Sequence, residues 1–325
     1  MSNYNNTTDI KQDVLHHCGE LDDGTSEYDA RVITYINRAQ QAILSGAAEL
    51  GLELGEPWPW AINKYPSVLT LNAAITSLTI TATFGSTAIT FGSTPSINLQ
   101  DWYIRLGSDG EVYRIATHTG TSTSATLDGG YVSSSVTNSA SKVFKIDYTL
   151  DNGVLRLIAP FVTYRNSTVL YNDAGQIYFC DMSRFNMDFP INQLQNGTPN
   201  MATEKYKDVS TMTPTIRINR VPDANLRVEY NYIPIPSDLT DSTTSIPIVP
   251  RDHRIALVYY AAYYLLLDKN DNRANEYREL TKASLIAMSK AQKQQKILTN
   301  PEFGQLVPRP DLVPERRRLW WRWYT

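Results

Sequence analysis

Cysteine is nearly absent: Cys18 and Cys180 are the two thiols in 325 residues. A pair so far apart cannot build a disulfide framework, and no CxxC or paired Cys/His spacing offers a zinc site. Such a chain is expected to be made and assembled in a reducing cytoplasm. Long apolar runs are missing as well. The longest, Ile255 to Leu267, falls short of the roughly 20 residues that span a bilayer, so it reads as a buried helix and no membrane role follows. The first eight residues are polar and uncharged, without the basic start and apolar stretch of a secretory signal. Basic surplus is lacking too. Lys and Arg total 30 against 33 Asp and Glu, a formal net charge of -3, which argues against a dedicated nucleic-acid binder.

Catalytic signatures are equally scarce. There is no GxGxxG, no P-loop and no HExxH. His16 and His17 are adjacent, and adjacent helical positions point away from each other, so they read as a polar helix end, not as one metal site. His118 lies in a Ser/Thr-rich hairpin and His253 at a helix start, neither beside a recognisable nucleophile. The pair Asp22 and Asp23 lies in a loop, where carboxylates are usually solvated. No residue is assigned a catalytic, cofactor-binding or metal-binding role. The expectation is a non-enzyme that needs no cofactor.

What is present is an alternation of habits along the chain. After a short helix from Asp9 to about Cys18, Ile33, Ile36, Gln40, Ile43, Ala47 and Leu50 recur at steps of three and four, the mark of one helix face running from about Ser26 to Leu50. Gly51 and Gly55 are expected to end it, before the aromatic turn Pro57 to Trp60. From about Pro66 short alternating runs take over, among them Leu78 to Phe84, Ala88 to Phe91, Trp102 to Leu106, Val112 to Ala116 and Val143 to Tyr148. Their Gly- and Asp-rich punctuation predicts a small antiparallel barrel or sandwich. A looser strand pattern follows, with Val154 to Ile158, Thr215 to Asn219 and Leu226 to Tyr232, and a long loop holding a short helix near Asp181 to Arg184. Helix returns after Pro250, capped by Asp252 and apolar on nearly every side to Leu267, and then a polar helix runs from Asn272 to about Leu298.

The predicted fold class is therefore α+β. A helical bundle is built from both ends of the chain and carries an inserted β-barrel or sandwich. The expected parts are a helical segment 1–65, a β insertion 66–149, a second β-rich region 150–245, a helical hairpin 246–299 and an extended tail 300–325. Bundle-core and subunit-interface positions are expected at Ile33, Ile36, Ile43, Leu50, Ile255, Tyr259, Tyr263 and Leu266.

The tail concentrates Arg316, Arg317, Arg318, Leu319, Trp320, Trp321, Arg322, Trp323 and Tyr324 into nine positions. Arg and Trp are the residues most enriched at binding hot spots, and exposed Trp in water invites aggregation, so a receiving groove is expected. The tail can fold onto its own chain, clasp a neighbouring copy, stack on nucleic acid, or dock into a different protein.

The stretch Asp29 to Ile43 leading to Pro57-Trp58-Pro59-Trp60, with Ile246 to Leu257 running into Tyr263 to Asp268 and Arg273 to Tyr277, resembles the head-to-tail adaptor proteins of tailed phages. It is also similar to the tail tubular A type of short-tailed phages. The resemblance implies a virion structural protein of the neck: a connector ring of twelve copies under the portal protein that extends the DNA ejection channel. In that picture the tail segment binds the portal, the β region faces a tail nozzle, tail tube or fibre protein, and duplex DNA passes without sequence-specific binding. The rival class is a tail fibre-like or carbohydrate-binding structural protein, against which the two flanking helical segments weigh.

Overall fold

The computed structural model describes residues 4–20, 22, 27–52, 57–106, 111–165 and 175–299. Among them the chain forms five α-helices: α1 (Thr7–His17), α2 (Glu27–Leu44), α3 (Met182–Asp188), α4 (Ile255–Asp268) and α5 (Ala274–Thr299). The first strands are β1 (Ser67–Leu71), β2 (Thr79–Ala82), β3 (Ala88–Phe91), β4 (Tyr103–Leu106), β5 (Val112–His118), β6 (Ser124–Leu127) and β7 (Val136–Phe144). They are followed by β8 (Asp147–Thr149), β9 (Val154–Arg165), β10 (Gly175–Phe179), β11 (Met201–Asp208), β12 (Thr213–Ile218) and β13 (Leu226–Pro234). The molecule is mixed α+β and divides into two compact units, Met1–Trp60 with Pro236–Thr325, and Ala61–Ile235.

In the first unit, α1 begins where the Asn6 side chain accepts the Asp9 N–H at 3.0 Å, so an Asx cap starts the helix two residues ahead of the sequence expectation. Helix α2 buries Val32, Ile36, Ala39 and Ile43 along one face. It stops at Leu44, one turn and a half short of the expected end. Gly46 takes a positive φ of 94°, and the Ala47 N–H bonds back to the Ala42 carbonyl at 2.8 Å, a glycine-driven helix stop. A 3-10 turn, Ala48–Leu50, then carries Leu50 into the core, which is why the apolar spacing runs on past the true terminus. The Trp58 indole N–H donates to the Ile43 carbonyl at 2.8 Å and ties the aromatic turn to the end of α2.

Helix α4 is buried on nearly all sides, by α1, α2 and α5 of its own unit. Each fully buried Leu, Val or Ile there contributes about 1.5–3 kcal/mol relative to exposure. Asp252 does not cap it. Residues Arg251–His253 form a 3-10 turn instead, and α4 starts with Arg254 at its cap position and no side-chain cap bond.

The second unit holds a closed, wholly antiparallel barrel in the order β2-β3-β6-β5-β4-β7, with β7 returning to β2. Alternation explains it: β3 reads exposed, buried, exposed, buried along Ala88–Phe91, and β2 likewise turns Ile80 and Ala82 inward. Ile80, Ile89, Phe91, Ile104, Ile115 and Val143 fill the interior. The same unit contains a seven-stranded sheet, β1-β13-β9-β10-β11-β12-β8, antiparallel except for β10 and β11.

Candidate functional site

Of the positions named from sequence in the helical unit, Ile36, Ile43, Leu50 and Leu266 are buried, while Ile33, Ile255, Tyr259 and Tyr263 are half-buried. Helices α2 and α4 pack together, and the aromatic residues between them carry polar tips. The Tyr260 and Tyr264 hydroxyls both donate to Glu49, and Arg38 lies 4.2 Å over the Tyr264 ring. Burial first, then the bond to Glu49, raises both phenols, Tyr264 to about 12. On another side of α4, Tyr259 meets the rings of Tyr277 and His17 edge-on.

Segment 236–250 lies against these helices through side chains that read backbone. Asn37 accepts the Leu239 N–H at 2.7 Å and donates to the Leu239 carbonyl at 3.0 Å. Gln40, the one polar break in the apolar face of α2, is 1 % exposed and accepts the Ile248 N–H at 3.0 Å. Thr7 donates both its N–H and its hydroxyl to the Ser245 carbonyl. Arg254 closes the set. Its buried guanidinium donates to the carbonyls of Val249 (2.9 Å), Tyr4 (2.8 Å), Asn5 (2.9 Å) and Pro247 (3.2 Å). Burial, with the neighbouring Arg251 charge, draws its pKa below the ordinary arginine value. Sequence reasoning missed Arg254 and Asn37, because a charge at a helix start and an amide at mid-helix carry no local mark of burial. Gln40 did carry one, being polar on an apolar stripe.

In the second unit a half-buried ion cluster joins the barrel to the sheet. Asp147 accepts from Tyr103 at 2.6 Å, from Lys205 at 2.7 Å and from Arg217 Nε at 2.7 Å. Burial alone would raise the Asp147 pKa, but the bonds and charge of Arg217, then Lys205 and Tyr103, outweigh it and hold it below the usual value. At one end of the barrel two loops are tied by backbone bonds: the Gly85 N–H donates to the Tyr131 carbonyl, and the Tyr131 N–H donates to the Ser86 carbonyl. Phe84 and Val132, 66 % and 63 % exposed, lie beside that junction. A cleft of about 230 Å³ between Asp188, Phe189, Gln193, Gln195 and Arg220 has no histidine, cysteine or serine in its lining.

Two of the histidines, His118 and His17, hold neighbouring groups in place. His118 Nδ1 accepts the Leu99 N–H at 3.0 Å while Nε2 faces the Ser122 carbonyl at 3.1 Å, which selects the Nε2–H tautomer. His17 bonds to the Tyr277 hydroxyl through Nδ1, and His16 is exposed. Among the described residues no cluster of three His, Cys, Asp or Glu could hold a metal ion, and no helix is long and apolar enough to cross a membrane.

Comparison with protein families places residues 5–302 on the model of the SU10 adaptor protein. The chain belongs to the SU10 adaptor family. The matched span contains all the helices and strands described above, so the family assignment rests on both units. The match does not extend to the likeness with the tail tubular A type. A comparison with curated proteins gave no match. As an adaptor-family chain it is a structural component in kind, and the anchors of segment 236–250 and the Asp147 cluster are best read as parts of a scaffold. Arg316, Arg317, Arg318, Leu319, Trp320, Trp321, Arg322, Trp323 and Tyr324, the portal-docking positions expected from sequence, follow the matched span and lie outside the described residues.

Proposed function

We propose that this chain is the head-to-tail adaptor subunit of a tailed-phage neck, without catalytic activity. The observation that carries the reading is the family match across residues 5–302. In this reading the helices from both chain ends act as a bundle that repeats around an axis in a ring of about a dozen copies. The ring sits beneath the portal and continues the DNA channel. The formal charge of -3 suits a passage through which duplex DNA slides, since lysines and arginines without a surplus over acids mean little salt-dependent adhesion to phosphate. The Arg- and Trp-rich tail docks into the portal. The exposed Phe84 and Val132 end of the barrel offers an apolar surface to a tail nozzle, tube or fibre protein. Assembly takes place in the host cytoplasm and the product resides in the virion.

The test is retention of the phage's portal protein by the purified full-length chain, beside a variant lacking Arg316 to Thr325. Retention by the full chain and loss in the variant, with the same far-UV circular dichroism, is the expected result. Equal retention by both removes the tail from the interface. A full chain that ignores portal and sediments as a stable trimer points instead to a fibre-like protein.

A further inference from the structure

Helices α2 and α5 flank α4, and each leaves an outer face uncovered in the single chain. Arg31 and Tyr35 of α2 bond to Asp268 at the end of α4, and Arg38 lies over Tyr264, so α2 runs antiparallel to α4. Tyr277 of α5 meets Tyr259, which sits five positions before Tyr264 and so roughly 140° away around the helix. α5 returns from a short turn after α4, antiparallel to it. The two flanking helices therefore run in the same direction.

The charged ends of their outer faces are complementary in sign. On α5, Leu280 and Ile286 are 38 % and 40 % exposed, with Ala283 and Ala287 exposed on the same arc. Monomer surfaces seldom line four apolar residues along one exposed helical stripe without a partner. Arg273, Glu276 and Glu279 precede that stripe on the same face. On α2 the exposed arc holds Glu27, Arg31, Thr34 and Arg38, and it ends in uncharged Gln41 and Ser45. Read in one direction, the charges are plus, minus, minus from Arg273 into α5 and minus, plus, plus on α2, and an uncharged stretch follows on each, closed on α5 by the exposed Lys290 of the same arc. Arg31, Arg38, Arg273 and Glu279 also pair within their own chain, with Asp268, Glu49, Asp271 and Lys282, yet about half or more of each side chain is exposed. The guanidinium donors are numerous enough to serve a second carboxylate.

We propose that the outer faces of α5 and α2 are the two halves of one head-to-tail contact between copies of this chain. They meet in parallel, with Glu276 and Glu279 against Arg31 and Arg38 and with Ile286 against Gln41. The proposal rests on the ring reading above and supplies its subunit seam. A ring of many copies relates neighbours by a small rotation, so helix directions are nearly preserved from one subunit to the next. α5 of one copy and α2 of the next must then be parallel, which is the direction in which the charges complement. A two-fold dimer would reverse one of the helices and bring Glu279 and Arg38 together antiparallel.

The experiment joins Gln41→Cys and Ile286→Cys in the full-length chain with Cys18 and Cys180 replaced by serine. The chain is oxidised alone at near-millimolar concentration and again with portal protein. A ladder of disulfide-linked multimers in the double variant, absent from each single variant, is expected. Glu279→Arg should weaken self-association on the order of tenfold, and adding Arg38→Glu should restore it. A multimer by sedimentation without the ladder overturns this seam and leaves the ring standing. A linked dimer that grows no further overturns the parallel contact, and a chain monomeric under both conditions overturns seam and ring together.

Discussion

Replacing Arg254 by leucine should release the N-terminal arm and segment 236–250 from the start of α4. Four carbonyls lose their donor at once: Val249, Pro247, Tyr4 and Asn5. Hydrogen bonds to a charged group contribute about 1.5–3 kcal/mol each, so the gross loss is about 6–12 kcal/mol. Two effects offset it. Leucine no longer has to bury a cation, a cost of several kcal/mol in real proteins, and Asn5 is exposed, so water can reach its carbonyl. The net destabilisation expected is about 3–5 kcal/mol, confined to the helical unit. Lysine in the same place keeps the charge but gathers its donors on one atom, which cannot reach four carbonyls on two segments. It should cost less, about 1–2 kcal/mol. Amide hydrogen exchange is the assay, because the barrel serves as an internal reference. Exchange in α1 and at Ile248 should accelerate roughly 10²- to 10⁴-fold in Arg254→Leu, with barrel amides unchanged. Unaltered protection of α1 in the leucine variant would refute the clamp, whatever the global unfolding midpoint does.

Other outcomes follow from the same kind of reasoning. Asp147→Asn leaves Arg217 and Lys205 facing a neutral amide in a half-buried site and should cost about 1.5–3 kcal/mol in urea unfolding of the β unit. If the variant unfolds at the wild-type midpoint, the cluster is not a pin. The Asp147 pKa is lowered in the folded chain from the ordinary 3.8, so its contribution is complete above that value and is lost as pH falls through the lowered one. Stability of the β unit should hold near neutrality and drop below about pH 4, the drop shrinking in the asparagine variant. Burial pushes the Cys18 thiol up to about 12, while Cys180 is also raised but only partly buried. A maleimide or disulfide reagent at neutral pH should therefore modify Cys180 and leave Cys18 until the protein unfolds. Equal labelling rates would contradict the burial of Cys18.

Local pattern carried much of this fold. The spacing of Ile36 and Ile43, the all-round apolar run before Leu267 and the alternation in Ala88–Phe91 each state which side chains must leave water, and the helices and strands appear where those demands are strongest. Where the demand is weak the reading fell short. Ser124–Leu127 pairs with both β3 and β5 but offers just two inward residues, Ala125 and Leu127, too few to show alternation. Val136 to Ser139 is strand with no apolar period, held in place by backbone bonding to β2. Ser67–Leu71 finds its partner in Leu226–Tyr230, a pairing that no window of sequence contains. The stop at Gly46 was masked because the turn beyond it returns Leu50 to the same core.

The polar anchors were illegible for a further reason. Arg254, Asn37 and Thr7 each bond to backbone, and any residue type can present a carbonyl or an amide, so the partner leaves no trace in composition or spacing. Yet these anchors have a consequence for the assembly reading. Segment 236–250 connects the second unit to α4, and it is fastened to α1 and α2 by side chains that recognise its main chain. Sequence in that segment can therefore drift while its path is kept, and the order α2, α4, α5 across the helical unit is preserved with it. A seam between copies needs that order more than it needs any single exposed contact: if α2 shifted against α4, the charges of its outer face would no longer stand level with those of α5 on the next subunit. Arg254→Leu should therefore weaken self-association as well as local protection, although Arg254 lies on neither outer face. Normal multimers from a variant whose α1 exchanges freely would separate the clamp from the seam and count against the coupling argued here.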